Sequence, residues 1–472
     1  MSSQSTQMNL HKIKRLHFVG IGGSGMNGIA QVLLNQGYDI AGSDLAENAS
    51  TQLLKKLGAT IFIGHAADHI KEADVVVVST AVKSDNPEVI AAKSLRIPII
   101  PRAEMLAEIM RFHFGIAIAG THGKTTTTSL VSSVLAEAGL DPTYVIGGRL
   151  NSSGSNAKLG KSRYFVAEAD ESDASFLYLQ PMIAVVTNID VDHMETYGNN
   201  VTKLYETFNS FLHHLPFYGV AVLCIDDHGV RMILDQVTRR VITYGFDKSA
   251  DIRATDIQQK GLVTHFTVKR FNGLKDLKIT LNLPGNHNIL NALSVIAIAA
   301  ELGVDDAILQ TALSQFSGVG RRCQVLGEFK TAKGNITLID DYGHHPTEIA
   351  ATQQAIKAAY PTQRLITVFQ PHRYSRTKAL FEDFAEVLSN TEFLILLEIY
   401  TAGEEAIPGI STRELCSNIR QRGKTDPIFV QEQDKLFSTI MDIAKDGDVI
   451  LMQGAGNIGA LSQRFVKEFE GQ

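Results

Sequence analysis

The chain has 472 residues, 44% of them hydrophobic and 20% charged, with a net charge of −6; this balance fits a folded protein of about three domains and argues against broad nucleic-acid binding. Three widely spaced cysteines, Cys224, Cys323 and Cys416, form no metal-ligand pattern and point to a reducing compartment without disulfides. The polar stretch Met1–Asn9 and the lack of a long apolar run after the basic Lys12–Arg15 predict neither a signal peptide nor a membrane span, so a cytoplasmic location is expected.

The first segment, to about residue 111, alternates short apolar strands (Leu16–Val19, Asp39–Ala41, Val75–Ser79) with helical stretches (Met26–Gln36, Ser50–Leu57). This is the rhythm of an open α/β sheet. The first strand ends in Gly20-Ile21-Gly22-Gly23-Ser24-Gly25, a Gly-x-Gly-x-x-Gly turn that opens a helix. Such a turn accepts a pyrophosphate, whether of a dinucleotide or of a nucleotide-sugar. Asp44 closes the next strand, where an acid can meet a ribose or a base edge.

The second segment opens with the strand Phe114–Ala119 and the turn Gly120-Thr121-His122-Gly123-Lys124-Thr125-Thr126. It is a shortened phosphate-binding loop, Gly-x-x-Gly-Lys-Thr, since Ile118 stands where the full pattern has glycine. Backbone N–H groups of such a turn converge on phosphate oxygens, Lys124 reaches the terminal phosphates and the Thr125 hydroxyl suits Mg²⁺. Two later strands run into Glu168-Ala169-Asp170-Glu171-Ser172-Asp173 and Asn188-Ile189-Asp190-Val191-Asp192-His193. If these strands are parallel to and near the first, Lys124, Glu168 and His193 face one crevice, and Glu168 is the stronger Mg²⁺ ligand because hard cations prefer oxygen. The β-rich stretch Val241–Leu283 reads as an appendage. Asn286-His287-Asn288-Ile289-Leu290-Asn291 precedes a helix over Ala292–Leu302, and either caps it or hydrogen-bonds an adenine.

The third segment, from about Arg321, alternates again. One strand runs into Asp340-Asp341-Tyr342-Gly343-His344-His345-Pro346 and the next into Gln370-Pro371-His372-Arg373-Tyr374-Ser375-Arg376. Pro346 suits a helix start. The histidines and arginines suggest an anion or carboxylate site, with Arg376 able to grip a carboxylate with two N–H groups. No third soft ligand supports zinc. Gly454-Ala455-Gly456-Asn457-Ile458-Gly459 reads as close packing or phosphate approach.

Taken together and in order, these motifs resemble those of the Mur ligase family, ATP-dependent amide-forming enzymes of peptidoglycan synthesis, over about residues 15–465. The resemblance implies an α/β fold of three domains: a Rossmann-like N-terminal domain (1–111) for a UDP-substrate, a P-loop-type central ATPase domain (112–320) and a Rossmann-like C-terminal domain (321–472) for an amino acid. It implies UDP-N-acetylmuramate, L-alanine and ATP as ligands, Mg²⁺ or Mn²⁺ as metal, no nucleic acid or membrane partner, and a monomer or weak homodimer. Gly22, Gly23, Ser24, Gly25, Asp44, Ser79 and Thr80 would hold the UDP part. ATP would lie on Gly120, Thr121, His122, Gly123, Lys124, Thr125 and Thr126, with His287, Asn288 and Asn291 at the adenine, Asp341 at the ribose and Arg321 at the γ-phosphate. Thr125 and Glu168 would hold one metal ion and Glu168 and His193 a second, with Tyr342, His344 and Arg376 at the amino acid. Lys124, Glu168, His193, Arg321 and His344 would be catalytic, His344 as proton acceptor or as positioner. The family's Arg-Arg-Phe-Gln reads Arg321-Arg322-Cys323-Gln324 here, which removes bulk but not charge. No lysine lies in 190–200 to bridge metals as a carbamate, leaving Glu195 as a substitute carboxylate.

Other readings are a relative that attaches a preformed peptide, an NAD(P)-dependent oxidoreductase built on Gly20–Gly25, and a non-catalytic nucleotide switch. The oxidoreductase leaves Lys124, Glu168 and His193 without a role, and the switch leaves Tyr342–His345 and His372–Arg376 unexplained.

Overall fold

The computed structural model describes residues 10, 13–79, 81–152, 155–271 and 273–470. The chain divides into two compact units. One comprises the chain up to Ile257 with His265–Leu281 and Asn288–Ser317; the other comprises Gln258–Thr264, Asn282–His287 and Gly318 onward.

The first unit starts with β1 (Arg15–Val19), α1 (Ser24–Asn35), β2 (Asp39–Asp44), α2 (Ala49–Lys56), β3 (Thr60–Ile63), β4 (Val75–Val78), α3 (Pro87–Leu95), β5 (Ile99–Pro101) and α4 (Arg102–Arg111). The strands pair in parallel in the order β3-β2-β1-β4-β5. Leu16 and Phe18 of β1 pack into one apolar cluster and Val19 into another. Both faces of the strand are therefore covered, and His17 between Leu16 and Phe18 is buried as well. Successive strands leave β1 on opposite sides, so the turn after β1 sits at the switch point where α/β sheets bind ligands. α2 is fixed by a capping box between Asn48 and Thr51, and α3 by Asn86 with Pro87 at its first position.

A second sheet follows: β6 (Phe114–Ala119), α5 (Lys124–Glu137), β7 (Thr143–Leu150), β8 (Ser155–Lys158), β9 (Tyr164–Glu168), β10 (Ile183–Val186), α6 (Val201–His213), β11 (Val220–Cys224), α7 (His228–Leu234), β12 (Arg240–Gly245), β13 (Ile252–Lys260), β14 (Val263–Arg270), β15 (Leu277–Leu281), α8 (Asn286–Leu302) and α9 (Asp306–Ser314). Its order is β15-β14-β13-β12-β11-β10-β6-β9-β7-β8. The stretch 241–283 is thus no appendage. Its strands extend the sheet, because β13 pairs in parallel with the end of β12. α8 also begins at Asn286, six residues before the predicted start, so His287, Asn288 and Asn291 lie in its first turns. α1 packs on this sheet through Asn27, which accepts from Asn156 at 2.7 Å, and Gln31, which donates to the Ala157 carbonyl at 3.3 Å.

The second unit contains β16 (Gln324–Thr331), β17 (Gly334–Asp341), α10 (Pro346–Ala359), β18 (Leu365–Phe369), α11 (Tyr374–Ala379), α12 (Phe381–Ser389), β19 (Phe393–Leu397), α13 (Thr412–Gln421), β20 (Ile428–Val430), α14 (Leu436–Ile443), β21 (Asp448–Gln453) and α15 (Ile458–Glu470). The order is β16-β17-β21-β18-β19-β20. The strand ends at Asp341 and Phe369 are separated by β21, which brings the Gly454 turn between them. Pro346 opens α10 inside a capping box made by His345 and Glu348. Among the described residues, no helix is long and apolar enough to cross a membrane.

Candidate active site

Three neighbouring parallel strands in the first unit set the first constellation. β6 lies between β9 and β10, with Ile118 opposite Glu168 and Ala119 opposite Val186. The segments carrying Lys124, Glu168 and His193 therefore leave the sheet at one edge, as the parallel reading required. Gly120 turns the chain with φ +125°, and a Cβ there would collide with Thr187 Oγ1. The loop is braced from the β10 end. His122 donates its backbone N–H to Asn188 Oδ1 at 2.8 Å, and its carbonyl accepts from Thr187 Oγ1 at 2.6 Å and Asn188 Nδ2 at 3.0 Å. His122 Nε2 lies 3.0 Å from Asp190, and Thr121 Oγ1 accepts from the Asp190 N–H at 2.9 Å. Thr125 and Thr126 are buried in the first turn of α5. Asn291 packs against Gly123 and donates to Asn288 at 3.2 Å, so both asparagines lie beside the loop.

Lys124 donates to the carbonyls of Gly120 at 2.7 Å and Thr121 at 3.1 Å, and to Glu171 Oε2 at 2.7 Å. Burial works against its charge, but Glu171, Asp170 and Glu168 outweigh that and raise its pKa. Glu171 is the partner the sequence reading passed over. It stood in the acidic run after β9, where Glu168 alone was singled out. Burial pushes its carboxyl up to about 7, with Lys124 pulling the other way, and buried Tyr197 donates to its carbonyl. Glu168 itself accepts from the Gly147 N–H at 2.7 Å. His193 sits in the left-handed region at φ 53°, with Nε2 3.4 Å from Asp192. A threonine hydroxyl and a strand-end carboxylate are hard donors of the kind Mg²⁺ takes, and an imidazole is a softer one.

At the β1 turn, the N–H groups of Gly20 and Ile21 donate to the Ser43 carbonyl at 2.8 and 3.0 Å. Asp44 Oδ2 accepts from the Gly22 N–H at 2.8 Å, so this acid shapes the turn. Gly23 is the N-cap of α1, with no side-chain cap on its N–H groups and no acid in its first turn. Ser24 is the first residue of that helix and Gly25 the second. Ser79 packs beside Gly20 from the end of β4. Thr80 lies outside the described residues. Behind the turn, buried Glu88 gathers Ser43, His17, His65 and His69. Burial raises its pKa, but hydrogen bonds from His17, Ser43 and His69 outweigh that and leave it at about 2.

The second unit gathers Tyr342, His344, His372 and Arg376. The rings of Tyr342 and His344 meet edge to face at 5.4 Å, and His372 stacks on Tyr400 at 5.5 Å. Arg376 Nη1 is 3.5 Å from His372 Nδ1. His344 Nδ1 lies 3.1 Å from the Tyr342 carbonyl; since a carbonyl only accepts, this nitrogen carries the proton and Nε2 keeps a lone pair. Burial, aided by Arg376, pulls the His344 pKa down to about 4 against the opposing pull of Glu348. His372 is also at about 4, through burial and then the nearby His344 and Arg376.

Arg321 donates to the Gly454 carbonyl at 2.5 Å, its Nε lies 3.3 Å from buried Asp340, and its guanidinium covers the Tyr342 ring at 4.9 Å. Burial raises Asp340 to about 6, against the pull of Arg321. Asp341 is buried and accepts from Cys323 N–H, Gly343 N–H, Thr352 Oγ1 and Gln453 Nε2 at 2.8–3.2 Å, so its oxygens organise the loop. Desolvation lowers the pKa of partly buried His287, against Asp341 and Glu348. Cys323 packs at the margin of the Ile339, Ile356 and Leu365 cluster. The Gly454–Gly459 turn is close packing: a Cβ on Gly454 would lie 2.8 Å from the Gln370 carbonyl.

Family models match along the chain: the Mur ligase family, catalytic domain, over residues 15–114, the Mur ligase middle domain over 118–299, and the Mur ligase, glutamate ligase domain over 321–456. Among solved structures, UDP-N-acetylmuramate-alanine ligase MurC from Thermotoga maritima is 32% identical over 97% of this chain and 99% of that one, with a TM-score of 0.82. A murein peptide ligase from Psychrobacter arcticus shares the fold, with a TM-score of 0.72 at 24% identity over 97% and 98%. The UDP-N-acetylmuramate:L-alanyl-gamma-D-glutamyl-meso-diaminopimelate ligase from Neisseria meningitides is 30% identical over 66% of this chain and 100% of that one, with a TM-score of 0.60. With its three-domain α/β fold, the chain belongs to the Mur ligase family, the ATP-dependent acid–amino-acid ligases of peptidoglycan synthesis.

Proposed function

We propose that this ligase joins L-alanine to the lactyl carboxylate of UDP-N-acetylmuramate, giving UDP-N-acetylmuramoyl-L-alanine, ADP and phosphate, with domain boundaries near residues 111 and 320. The observation that carries the alanine assignment is the likeness to the Thermotoga maritima alanine ligase along almost the whole of both chains. In this reading the carboxylate attacks the γ-phosphate of ATP to give an acyl phosphate, and the amine of alanine then displaces phosphate through a tetrahedral intermediate.

The first step brings two anions together. Lys124, charged throughout the physiological range, would leave Glu171 for the phosphates, and Arg321 would add a second cation at the transferring group. Thr125, Glu168 and His193 would hold Mg²⁺ or Mn²⁺, which would offset charge on the triphosphate. Gly120, Thr121, His122, Gly123 and Thr126 would cradle phosphates; Asn288, Asn291 and His287 would serve the adenine and Asp341 the ribose side. Gly22, Gly23, Ser24, Gly25, Asp44 and Ser79 would receive the UDP part.

For the second step, Arg376 would hold the alanine carboxylate beside Tyr342. His344 Nε2 would accept an N–H of the ammonium group. An imidazole with a pKa of about 4 is too weak a base to take the proton from an ammonium several units higher, so His344 positions the nucleophile. The acyl phosphate hydrolyses readily, so exclusion of water would have to precede its formation.

The peptide-adding alternative keeps a foothold in the likeness to the Neisseria ligase. Mg²⁺-ATP and UDP-N-acetylmuramate with either L-alanine or the tripeptide separate the two. Phosphate release with L-alanine and a product heavier by one alanyl residue supports the proposal; turnover only with the peptide overturns it.

A further inference from the structure

The β1 turn contains no cation of its own: Gly20–Gly25 is glycine, isoleucine and serine. A nucleotide diphosphate would bring at least two negative charges there, and backbone N–H groups at one helix start only partly offset them. Arg102, the first residue of α4, supplies the missing charge. Its side chain crosses to the turn so closely that a Cβ on Gly25 would lie 2.7 Å from Nη1 and 3.1 Å from Cδ. The same guanidinium donates through Nη2 to Asp170 Oδ2 at 3.1 Å. Asp170 is held in place by Ser172, whose N–H and hydroxyl donate to Oδ1 at 3.1 and 2.7 Å.

Asp170 is followed in the chain by Glu171, the partner of Lys124. Charges of alternating sign therefore run from the β1 turn to the phosphate loop: Arg102, Asp170, Lys124, Glu171.

We propose that Arg102 is a diphosphate-binding residue of the UDP-sugar site, anchored between the Gly25 turn and Asp170 so that one guanidinium serves the substrate and the acidic loop beside the ATP site. This rests on the ligase reading above. The pair with Asp170 orients the guanidinium and keeps it next to a turn that has no cation of its own.

The test is equilibrium binding of UDP-N-acetylmuramate, and separately of ATP, to wild type and to Arg102→Met, Arg102→Lys and Asp170→Asn. A charged hydrogen bond is worth about 1.5–3 kcal/mol, or roughly 10- to 100-fold. Arg102→Met should lose UDP-sugar affinity by that factor, with ATP affinity within about twofold of wild type. Arg102→Lys should recover part of the loss, since it restores charge without the fork. Asp170→Asn should raise KM for the UDP-sugar less than Arg102→Met does. If Arg102→Met binds the UDP-sugar as wild type does, the proposal is wrong and the ligase reading stands. If it loses ATP and UDP-sugar binding together, Arg102 only joins the two sheets through Asp170, and the proposal is again wrong. Wild-type protein that binds no UDP-sugar removes the ligase reading, and this inference with it.

Discussion

The turns after β1 and β6 use one backbone device in two ways. Each follows a strand with parallel neighbours on both sides, at a switch point of its sheet, and opens a helix whose first N–H groups are available to phosphate. The β6 loop carries its cation inside the turn, as Lys124, and surrounds it with Glu168, Asp170 and Glu171. The β1 turn carries none and borrows Arg102 from the start of α4. A triphosphate that must be attacked needs a cation that follows charge as it moves, together with acids for a metal. A diphosphate that is only held needs a fixed one.

The largest expected effect breaks the loop that owns its charge. Lys124→Met should lower kcat by about 10²–10³-fold or more, as expected for removal of a group facing developing charge. UDP-N-acetylmuramate affinity should remain unchanged. Phosphate release and direct UDP-sugar binding read the two halves, and a variant with near-normal kcat would remove Lys124 from the chemistry.

Glycine replacement separates the turns next. In Gly120→Ala the new Cβ meets Thr187 Oγ1 and the backbone of Asn188 at φ +125°. We expect a loss of about 2–4 kcal/mol in stability, visible as an early melting transition. In Gly25→Ala the Cβ meets the flexible end of Arg102 instead. That variant should melt close to wild type but bind the UDP-sugar roughly tenfold more weakly, since a charged contact is displaced rather than a fold strained. Melting curves and binding isotherms that failed to split this way would mean that the two turns do not differ as described.

This contrast also explains what the sequence disclosed. The β6 loop was legible because strand, glycines, Lys124 and Thr125 are contiguous, and the strand ends bearing Glu168 and His193 lie on either side of β6 as expected. Arg102 was not, because nothing in Pro101-Arg102-Ala103 marks it and only packing of α4 brings it to Gly25. Glu171 was hidden for another reason: an acidic run offers several carboxylates, and which one meets Lys124 depends on how the chain turns after β9. The stretch 241–283 was legible as strand and misread as an appendage, since local β propensity does not say which edge a strand will join. His344 was legible as a residue, but its choice between accepting a proton and positioning was not, because burial sets its pKa.

Proton linkage gives a smaller effect confined to the β6 loop. Glu171 has a folded pKa of about 7 against an ordinary 4.5, with burial as the main cause. Between those two values the folded state keeps a proton that the unfolded state has released, so stability falls as pH rises through that window. Glu171→Gln, which mimics the protonated form and removes a charge partner of Lys124, should flatten this dependence, so that its stability relative to wild type improves between pH 5 and pH 7.5 by on the order of 1–2 kcal/mol. Denaturation at both pH values checks it; a difference equal at the two would assign the effect to packing instead.

The smallest effect tests whether the β1 turn needs the charge it does own. Asp44 Oδ2 accepts from the Gly22 N–H at 2.8 Å, and asparagine would keep a carbonyl oxygen for that bond while losing its charge. A charge-assisted bond is about twice as strong as a neutral one, so Asp44→Asn should cost roughly 0.5–1 kcal/mol of stability. UDP-sugar affinity should change in a direction that reports where the carboxylate points. If it only shapes the turn, or also meets the ribose, affinity falls by about two- to fivefold with the lost bond strength. If it instead faces the diphosphate, removing the negative charge tightens binding, and Arg102 would then have to offset Asp44 as well as its ligand.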